Sequence, residues 1–529
     1  MKPLSISPLT NRGAPRRRPF YRASVFAGAA ALALAGCAVG PDFSPPKPQT
    51  PATWVDSGKA PDGNVTSLLN SAPVTAVAWW TLFNDAKLND LVKQAALQNL
   101  TVLEADARIR ASRASIGIAN AGLFPSVNGT GSYSYSSSPT IINDEPHESP
   151  PRTFLSTGLN AVWNLDIFGG TRRSVEAAEA SVQASIETRR DSLVTLIAEV
   201  GADYIQLRSD QQLLQIANTN LADQQHTADI TNQRYKAGFA AELDYDNAKS
   251  AADSTRAQIP SLQTAIRTDI YALSLLLARP PGALVSDLDA PGPLPQTPPQ
   301  VPVGLPADLI RRRPDIRLAE ATLHSDTANI GVAISAWYPQ VSVNGSFGFQ
   351  GVSIGQLTQW ASQTWSWGPT INWAILSGGR ISAQTELQRA TLQADAYAYQ
   401  NTVLTALQEV ETAQVAFNNE QIRRAALRDA VVDNQKAYDI SFKLYQAGST
   451  EFINVLTAEL SLASSQNQLA ASDAAVATDL VALFKALGGG WTEFPERDTT
   501  NLDPFAPAPP SDSSPPAMTP AASNPKPAQ

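Results

Sequence analysis

A single cysteine, Cys37, stands in 529 residues, so no disulfide can form within the chain. No stretch reaches 18 consecutive apolar residues, which excludes a membrane-spanning helix. Anything here that crosses a bilayer must cross it as strands. Histidine is scarce too: His147, His226 and His324 lie far apart without companions at metal-ligand spacing, and His147 sits in the acidic segment 144–148, read as a solvated loop. Serine is plentiful but never forms a nucleophile elbow, and Gly488-Gly489-Gly490 lacks the Lys and Ser/Thr of a phosphate loop. No catalytic residue, cofactor or metal is therefore expected, and the chain is not read as an enzyme. Positive charge is also short, with 39 Lys and Arg against 48 Asp and Glu and a net charge of −9, which argues against a nucleic-acid partner.

What basic charge there is gathers at the start. Lys2, Arg12, Arg16, Arg17, Arg18 and Arg22 precede Cys37 with no acid among them, so removing that segment takes the net charge from −9 to −15. The arginine-rich start leads into a small apolar run over 23–35, too short to span a bilayer and ending in small residues. Residues 1–36 read as a secretory signal. The ending Leu34-Ala35-Gly36-Cys37 has the pattern of a bacterial lipoprotein signal, which makes Cys37 the lipidated first residue of the mature protein. Ala38, rather than Asp, follows it and favours the outer membrane.

The body of the chain is written twice. Glu199-Val200 recurs as Glu409-Val410, and Tyr235-Lys236-Ala237-Gly238 as Tyr445-Gln446-Ala447-Gly448, both at an offset of 210. Earlier in each copy Ile116-Gly117 matches Ile330-Gly331 and Phe124-Pro125 matches Tyr338-Pro339, at 214. Four residues therefore separate the copies between Pro125 and Gly169, and an indel belongs in a loop. A repeat of this size marks a duplicated architecture in which neither half buries its apolar faces alone.

Each copy carries two strand patterns. Over 126–136 Val127, Gly129, Gly131, Tyr133 and Tyr135 alternate with Ser, Asn and Thr; over the return strand Leu155, Leu159, Ala161, Trp163 and Leu165 alternate with Ser156, Asn160 and Asn164. Val341, Val343, Phe347 and Phe349 alternate with Ser342, Asn344 and Ser346, and Trp365, Trp367, Ile371, Trp373 and Ile375 with Ser366, Thr370 and Asn372. Such alternation over roughly ten residues, with aromatics near the ends, fits a transmembrane barrel with lipid outside and water within. A soluble sheet packed on one face is the competing reading. Four strands cannot close a barrel when the smallest single-chain ones need about eight. The chain must therefore oligomerise, and three copies supply twelve.

Long helical patterns cover 171–235, 241–278, 381–445 and 452–487, with a shorter one over 87–121. Leu193, Leu196, Ile197, Val200, Tyr204 and Leu207 follow helical spacing. Pro260 is expected to kink or break the second helix, and Gly238 and Gly448 to cap the long ones. The domain reading is a signal peptide over 1–36, a lipid-anchored extended tether over 37–78, a first repeat over 79–280, a proline-rich connector over 281–306 that is either draped on the body or a short strand pair, a second repeat over 307–491, and a low-complexity tail over 492–529, disordered from Phe505.

These features resemble a known family. Leu34-Ala-Gly-Cys37 with Val39-Gly40-Pro41-Asp42-Phe43, Trp79-Trp80, Asp166-Ile167-Phe168-Gly169-Gly170, and above all Leu309-Ile-Arg-Arg-Arg313-Pro314-Asp315-Ile316 with Ala319-Glu320, are similar to the outer-membrane factor lipoproteins of tripartite efflux systems, the NodT/OprM-like branch of the TolC-like superfamily. The resemblance implies a mainly α fold with membrane β-strands: a duplicated long-helix α-barrel protomer contributing four strands to a trimeric twelve-stranded outer-membrane β-barrel. It implies a homotrimer working with a periplasmic adaptor protein and an inner-membrane pump, anchored in outer-membrane lipids. The turns at Tyr235, Gly238, Tyr445 and Gly448 become the periplasmic tip that meets the adaptor, and carboxylates there line a constriction. This chain departs from that pattern, since the second copy holds Asn454 and Thr457 where relatives often place aspartates and the first copy keeps Asp244. Those three residues are the constriction candidates, with an exposed helix-start role as the plainer reading of Asp244. The expected function is a passive exit duct for drugs and small toxic compounds; an exit duct for type I protein secretion and a non-channel structural lipoprotein are the alternatives.

Overall fold

The computed structural model describes residues 38–55, 67–70, 72, 78–137, 140–142, 145–147 and 150–500. The signal peptide, Cys37 and the tail from 501 onward lie outside the described residues. By contacts the chain divides into two units, the first drawn from Met1–Ser44, Ala114–Ala180 and Leu323–Ala394, the second from Pro45–Arg113, Ser181–Thr322 and Asp395–Gln529. In chain order the elements used below are strand β1 (Leu68–Asn70), helices α1 (Ala86–Gln98) and α2 (Leu100–Ala121), strands β2 (Ser126–Ser136), β3 (Thr140–Ile142), β4 (Glu145–His147) and β5 (Arg152–Leu165), helices α3 (Gly170–Lys236) and α4 (Glu242–Leu276), strand β6 (Gln300–Pro302), helices α5 (Pro306–Arg312) and α6 (Pro314–Ser335), strands β7 (Gln340–Gly351) and β8 (Gln363–Asn372), and helices α7 (Arg380–Gln446) and α8 (Phe452–Ala486).

The first unit holds an antiparallel sheet in the order β2-β5-β7-β8. Because strand side chains alternate faces, its register sorts the whole sheet by parity. Tyr133 pairs with Leu155, Leu159 with Phe347, and Phe347 with Trp365, so the odd-numbered residues share one face; Ser132, Ser156, Gln350, Ser346 and Ser366 pair across the other. The four-residue indel falls between paired strands, where 15 residues join β2 to β5 and 11 join β7 to β8. The longer loop contains the small β3–β4 hairpin, which the sequence did not announce.

Two helices of 67 residues, α3 and α7, are each about 100 Å long at 1.5 Å per residue. In α3 the apolar positions Leu193, Leu196, Ile197, Val200, Tyr204 and Leu207 are all buried, as their spacing requires. Each long helix ends in the same way. Phe239 N donates to Arg234 O and Gly238 N to Tyr235 O, and Ser449 N donates to Leu444 O and Gly448 N to Tyr445 O. These are the paired bonds of a Schellman cap, with Gly238 at φ +78 and Gly448 at φ +74 supplying the left-handed residue.

Three expectations need correction. The helix expected over 87–121 is two helices, because Asn99 leaves the helical conformation and its side-chain oxygen accepts from Thr101 N and Val102 N, capping the start of α2. Pro260 does not break α4, which runs through it from Glu242 to Leu276. The carbonyl deprived of a donor belongs to exposed Arg256, where water can satisfy it. The stretch expected as a tether is mostly exposed over 38–55 but is held at points along its length: the Trp54 indole is buried and donates to Gly304 O at 3.0 Å, and β1 pairs in parallel with β6 of the connector.

The second unit also accounts for the arginine run. Arg313 donates to Asp315, to Glu409 on α7 at 2.6 Å and to Ala486 O at the end of α8, so one guanidinium ties the α5–α6 junction to two long helices. Trp491 lies under the guanidinium groups of Arg190 and Arg317, which also pair with buried Glu187. Trp79 stacks on Phe484 at 5.3 Å between ring centroids and Trp80 on Phe494 at 5.8 Å, which places the two tryptophans where the repeat begins against the segment where it ends.

The caps at the far ends of α4 and α8 differ. Gly488 holds the left-handed position at φ +68, whereas its counterpart is Ala278 at φ +55. A Cβ in that conformation is strained, so Ala278→Gly should stabilise the protein by about 0.5–1 kcal/mol. Denaturant or thermal unfolding measures this, and no gain would mean that the cap geometry tolerates alanine.

Candidate functional site

Three places carry the residues singled out by the sequence: the sheet, the segment after Cys37, and the helix turns. On the sheet, β2 is exposed along its whole length and β8 almost so, on both faces. Val127, Tyr133, Tyr135, Leu159, Trp163, Phe347, Trp365, Trp367 and Ile371 all stand exposed on the odd face. Among the described residues the short segment after β7 lies against part of these rows, with Trp360 6.4 Å from Phe347 and 6.2 Å from Phe349 between ring centroids, while most of the odd face stays exposed. The even face is laced with polar pairs: Ser132 to Ser156 at 2.8 Å, Ser346 to Ser366 at 2.8 Å, Asn160 donating to Thr130 and Asn344 to Thr370. A wall with one oily and one hydroxyl-lined side separates lipid from water.

The residues just after Cys37 are clasped within the first unit. Asp166 accepts from Thr171 N and Arg172 N, both at 2.9 Å, and so starts α3. One turn later Arg173 donates to Val39 O and to the Asp42 carboxylate at 2.6 Å, while Glu176 bonds to His324, whose ring stacks on Phe43 at 4.5 Å. Gly40, at φ +100, lies so close to α6 that a Cβ would sit 2.5 Å from Gly331 Cα. The Val-Gly-Pro-Asp-Phe and Asp-Ile-Phe-Gly-Gly motifs are thus two halves of one joint. The burial that desolvates the Arg173 guanidinium is outweighed by Asp42 and Glu176, which hold its pKa above the ordinary value.

At the turns the two copies come together but do different things. Arg234, one residue before Tyr235, lays its guanidinium 4.7 Å from the centroid of the Tyr445 ring and donates to Gln446 O. Tyr445 is 4% exposed and packs against Phe452, while Tyr235 is 37% exposed beside exposed Phe239. Ala228, Ala248, Phe452 and Val455 complete the apolar cluster around Tyr445, and Phe442 and Tyr438 cover it. Asp244 is half-buried in the first turn of α4. Asn454 and Thr457 are exposed on α8, and their polar groups are engaged locally, Asn454 donating to Thr450 and Thr457 to Ile453 O. Among the described residues no hydrogen bond joins Asp244 to either of them.

The motifs did not point to Arg234 or Glu459. Their counterparts at the 210 offset are Leu444 and Lys249, so divergence between the copies was the available signal. Glu459 is 6% exposed on α8. Its nearest polar partner is Thr227 of α3 at 3.4 Å, with Asp223 on the same helix and Tyr438 of α7 facing it. Burial pushes its carboxyl up from 4.5 to about 7, Thr227 opposes that and the Asp223 charge adds to it. A carboxyl whose folded pKa is raised makes the folded state bind the extra proton, so stability is greatest below about pH 4.5 and falls as pH rises through about 7. Glu459→Gln should flatten that fall, read from thermal unfolding at pH 5 and pH 8. An unaltered difference between the two pH values would exclude this carboxyl as its source.

Comparison with known proteins agrees with this geometry. The family model described as Outer membrane efflux protein matches residues 91–279 and 305–489, the two copies of the repeat. Nodulation protein T of Rhizobium leguminosarum bv. trifolii is 33% identical over 87% of this chain and 96% of its own length. The toluene efflux pump outer membrane protein TtgC of Pseudomonas putida is 30% identical over 88% of this chain and 94% of its own. Among solved structures the outer-membrane channel OprN superposes with a TM-score of 0.79 at 32% identity, covering 86% of this chain and all of that one. The fold is the one expected from the sequence, a protomer of duplicated long helices that gives four strands to a trimeric twelve-stranded barrel. The chain belongs to the outer membrane efflux protein family and is an efflux channel of the outer membrane.

Proposed function

We propose that this channel is the exit duct through which a tripartite pump expels drugs and other small toxic compounds. The observation that carries the reading is the sheet, with an apolar face and a Ser/Thr/Asn face, both exposed along β2 and nearly all of β8. A wall lined mainly by hydroxyls and amides, with Arg152 at the start of β5 the one charge on that face of the four strands, keeps a wet lumen and suits a passive conduit. The toluene pump component among the relatives supports small organic compounds as cargo.

In this reading Cys37 carries the lipid that holds the protein in the outer membrane. The turns at Tyr235-Gly238 and Tyr445-Gly448 dock a periplasmic adaptor, which links the homotrimer to an inner-membrane pump. Exposed Tyr235 and Phe239 offer apolar surface for docking, while buried Tyr445, held under Arg234, latches the turn region. Asp244, with Asn454 and Thr457 at neighbouring helix starts, lines the constriction. Opening would loosen the Arg234–Tyr445 contact and part the helix ends.

Single-channel conductance in planar bilayers tests this. The wild type should give small, cation-selective openings, and Tyr445→Ala and Asp244→Ala should each enlarge them, with Asp244→Ala also weakening the selectivity. Trimers that never conduct would overturn the duct and favour a structural lipoprotein.

A further inference from the structure

The four-stranded sheet ends in two edges, β2 and β8, that pair with no other strand among the described residues. We infer that β8 of one protomer pairs antiparallel with β2 of the next copy in a single register, the one that sets Thr370 opposite Ser132 of that copy. The inference rests on the trimeric channel reading and goes beyond it by fixing which residues meet.

The duplication supplies the register. Ser126 pairs with Val162 in the first hairpin and Gln340 with Asn372 in the second, which is the same pairing moved by 214 and 210. Side chains repeat as well. The Ser132–Ser156 bond returns as Ser346–Ser366, and the Asn160–Thr130 bond returns as Thr370–Asn344 with the two residue types exchanged. The Trp163 indole donates to Leu123 O at 2.9 Å, and the Trp373 indole to Trp337 O at 3.0 Å. The two hairpins are therefore the same unit, and the chain contains one junction between such units, β5 with β7. A ring of three protomers needs six junctions, and the simplest closure uses this one throughout.

Moving the β5–β7 pairs by the same offsets gives the contact. Asn160 opposite Ser346 becomes Thr370 opposite Ser132 of the next copy; Val162 opposite Asn344 becomes Asn372 opposite Thr130; Leu165 opposite Val341 becomes Ile375 opposite Val127. Polar residues meet polar ones on the even face and apolar meet apolar on the odd face, whereas a slip of one residue would set Thr370 beside Tyr133 or Gly131 and turn the faces over.

Strand lengths agree. β5 has 14 residues and β8 has 10. In β5 the last three, Trp163 to Leu165, pair with β7 alone, and their counterparts at 373–375 are the ones that continue past the end of β8. Trp373 and Ile375 stand exposed there, with the Trp373 indole already seated. Pairing with β2 of the next copy would lengthen β8 through these residues.

Slips by two residues would keep both faces matched, so register is the quantity to measure. Residues directly opposite lie about 4.5–5.5 Å apart and those displaced by two roughly 7–8 Å, beyond easy disulfide reach. The full-length lipoprotein in outer membranes would carry Thr370→Cys paired with Thr130→Cys, Ser132→Cys or Ser134→Cys. A second series would pair Ile371→Cys with Gly129→Cys, Gly131→Cys or Tyr133→Cys, so that hydrogen-bonded and non-hydrogen-bonded sites are both sampled. Mild oxidation should link protomers several-fold more in the 370/132 or 371/131 variant than in its slipped neighbours, giving reducible dimers and trimers on gels. A maximum at a slipped pair would overturn the register, and trimers with no link at any pair would overturn the β8–β2 contact, leaving the channel reading standing in both cases. Monomers throughout, by native mass, would overturn the trimeric reading itself.

Discussion

An open β-sheet edge cannot persist in hydrocarbon, because each unpaired N–H and C=O would be left without water. This constraint governs the rest of the molecule. Four strands present two such edges, so the sheet is stable only as part of a closed ring, and the chain is incomplete on its own. The bare faces of β2 and β8 are consequences of the same fact, since a sheet destined for a barrel wall must not spend its surfaces on packing within the protomer. The burial that stabilises the protomer is therefore carried by the helices and by the aromatic packing of Trp79, Trp80, Phe484 and Phe494.

Much of this was legible in the sequence because it depends on period and offset. Alternation in 126–136 and from Trp365 to Ile375 marks strands with the right faces, although β8 ends at Asn372; 3.6-residue spacing in α3 marks the buried stripe, and the offsets place the indel in a loop. What escaped was set by tertiary context. Asn99 could have stayed in a helix and instead caps one, and its amide also reaches Leu276 O, a partner 177 residues away. Pro260 was read from its local penalty, which the solvent exposure of Arg256 relieves. Tyr235 and Tyr445 are identical by motif and differ in burial: Arg234 and Phe452 pack on Tyr445, and their counterparts in the other copy are Leu444 and Glu242.

Duplicated chains keep what both copies need and let the rest drift. Hairpin register, helix length and the Schellman caps are common to both halves. The differences collect at the turn region, where Arg234 has Leu444 as its counterpart, Lys249 has Glu459 and Asp244 has Asn454. Two similar hairpins can line a wall equally well, but a latch needs unlike partners, a cation on one side and an aromatic ring on the other.

The loops between paired strands carry a last consequence. One spans 15 residues and the other 11. In a ring of three protomers the wall would follow a nearly sixfold pattern, while the six hairpin tips would alternate long and short. Anything approaching that rim would meet a threefold crown, so the loop lengths alone would hide the higher symmetry of the strands beneath.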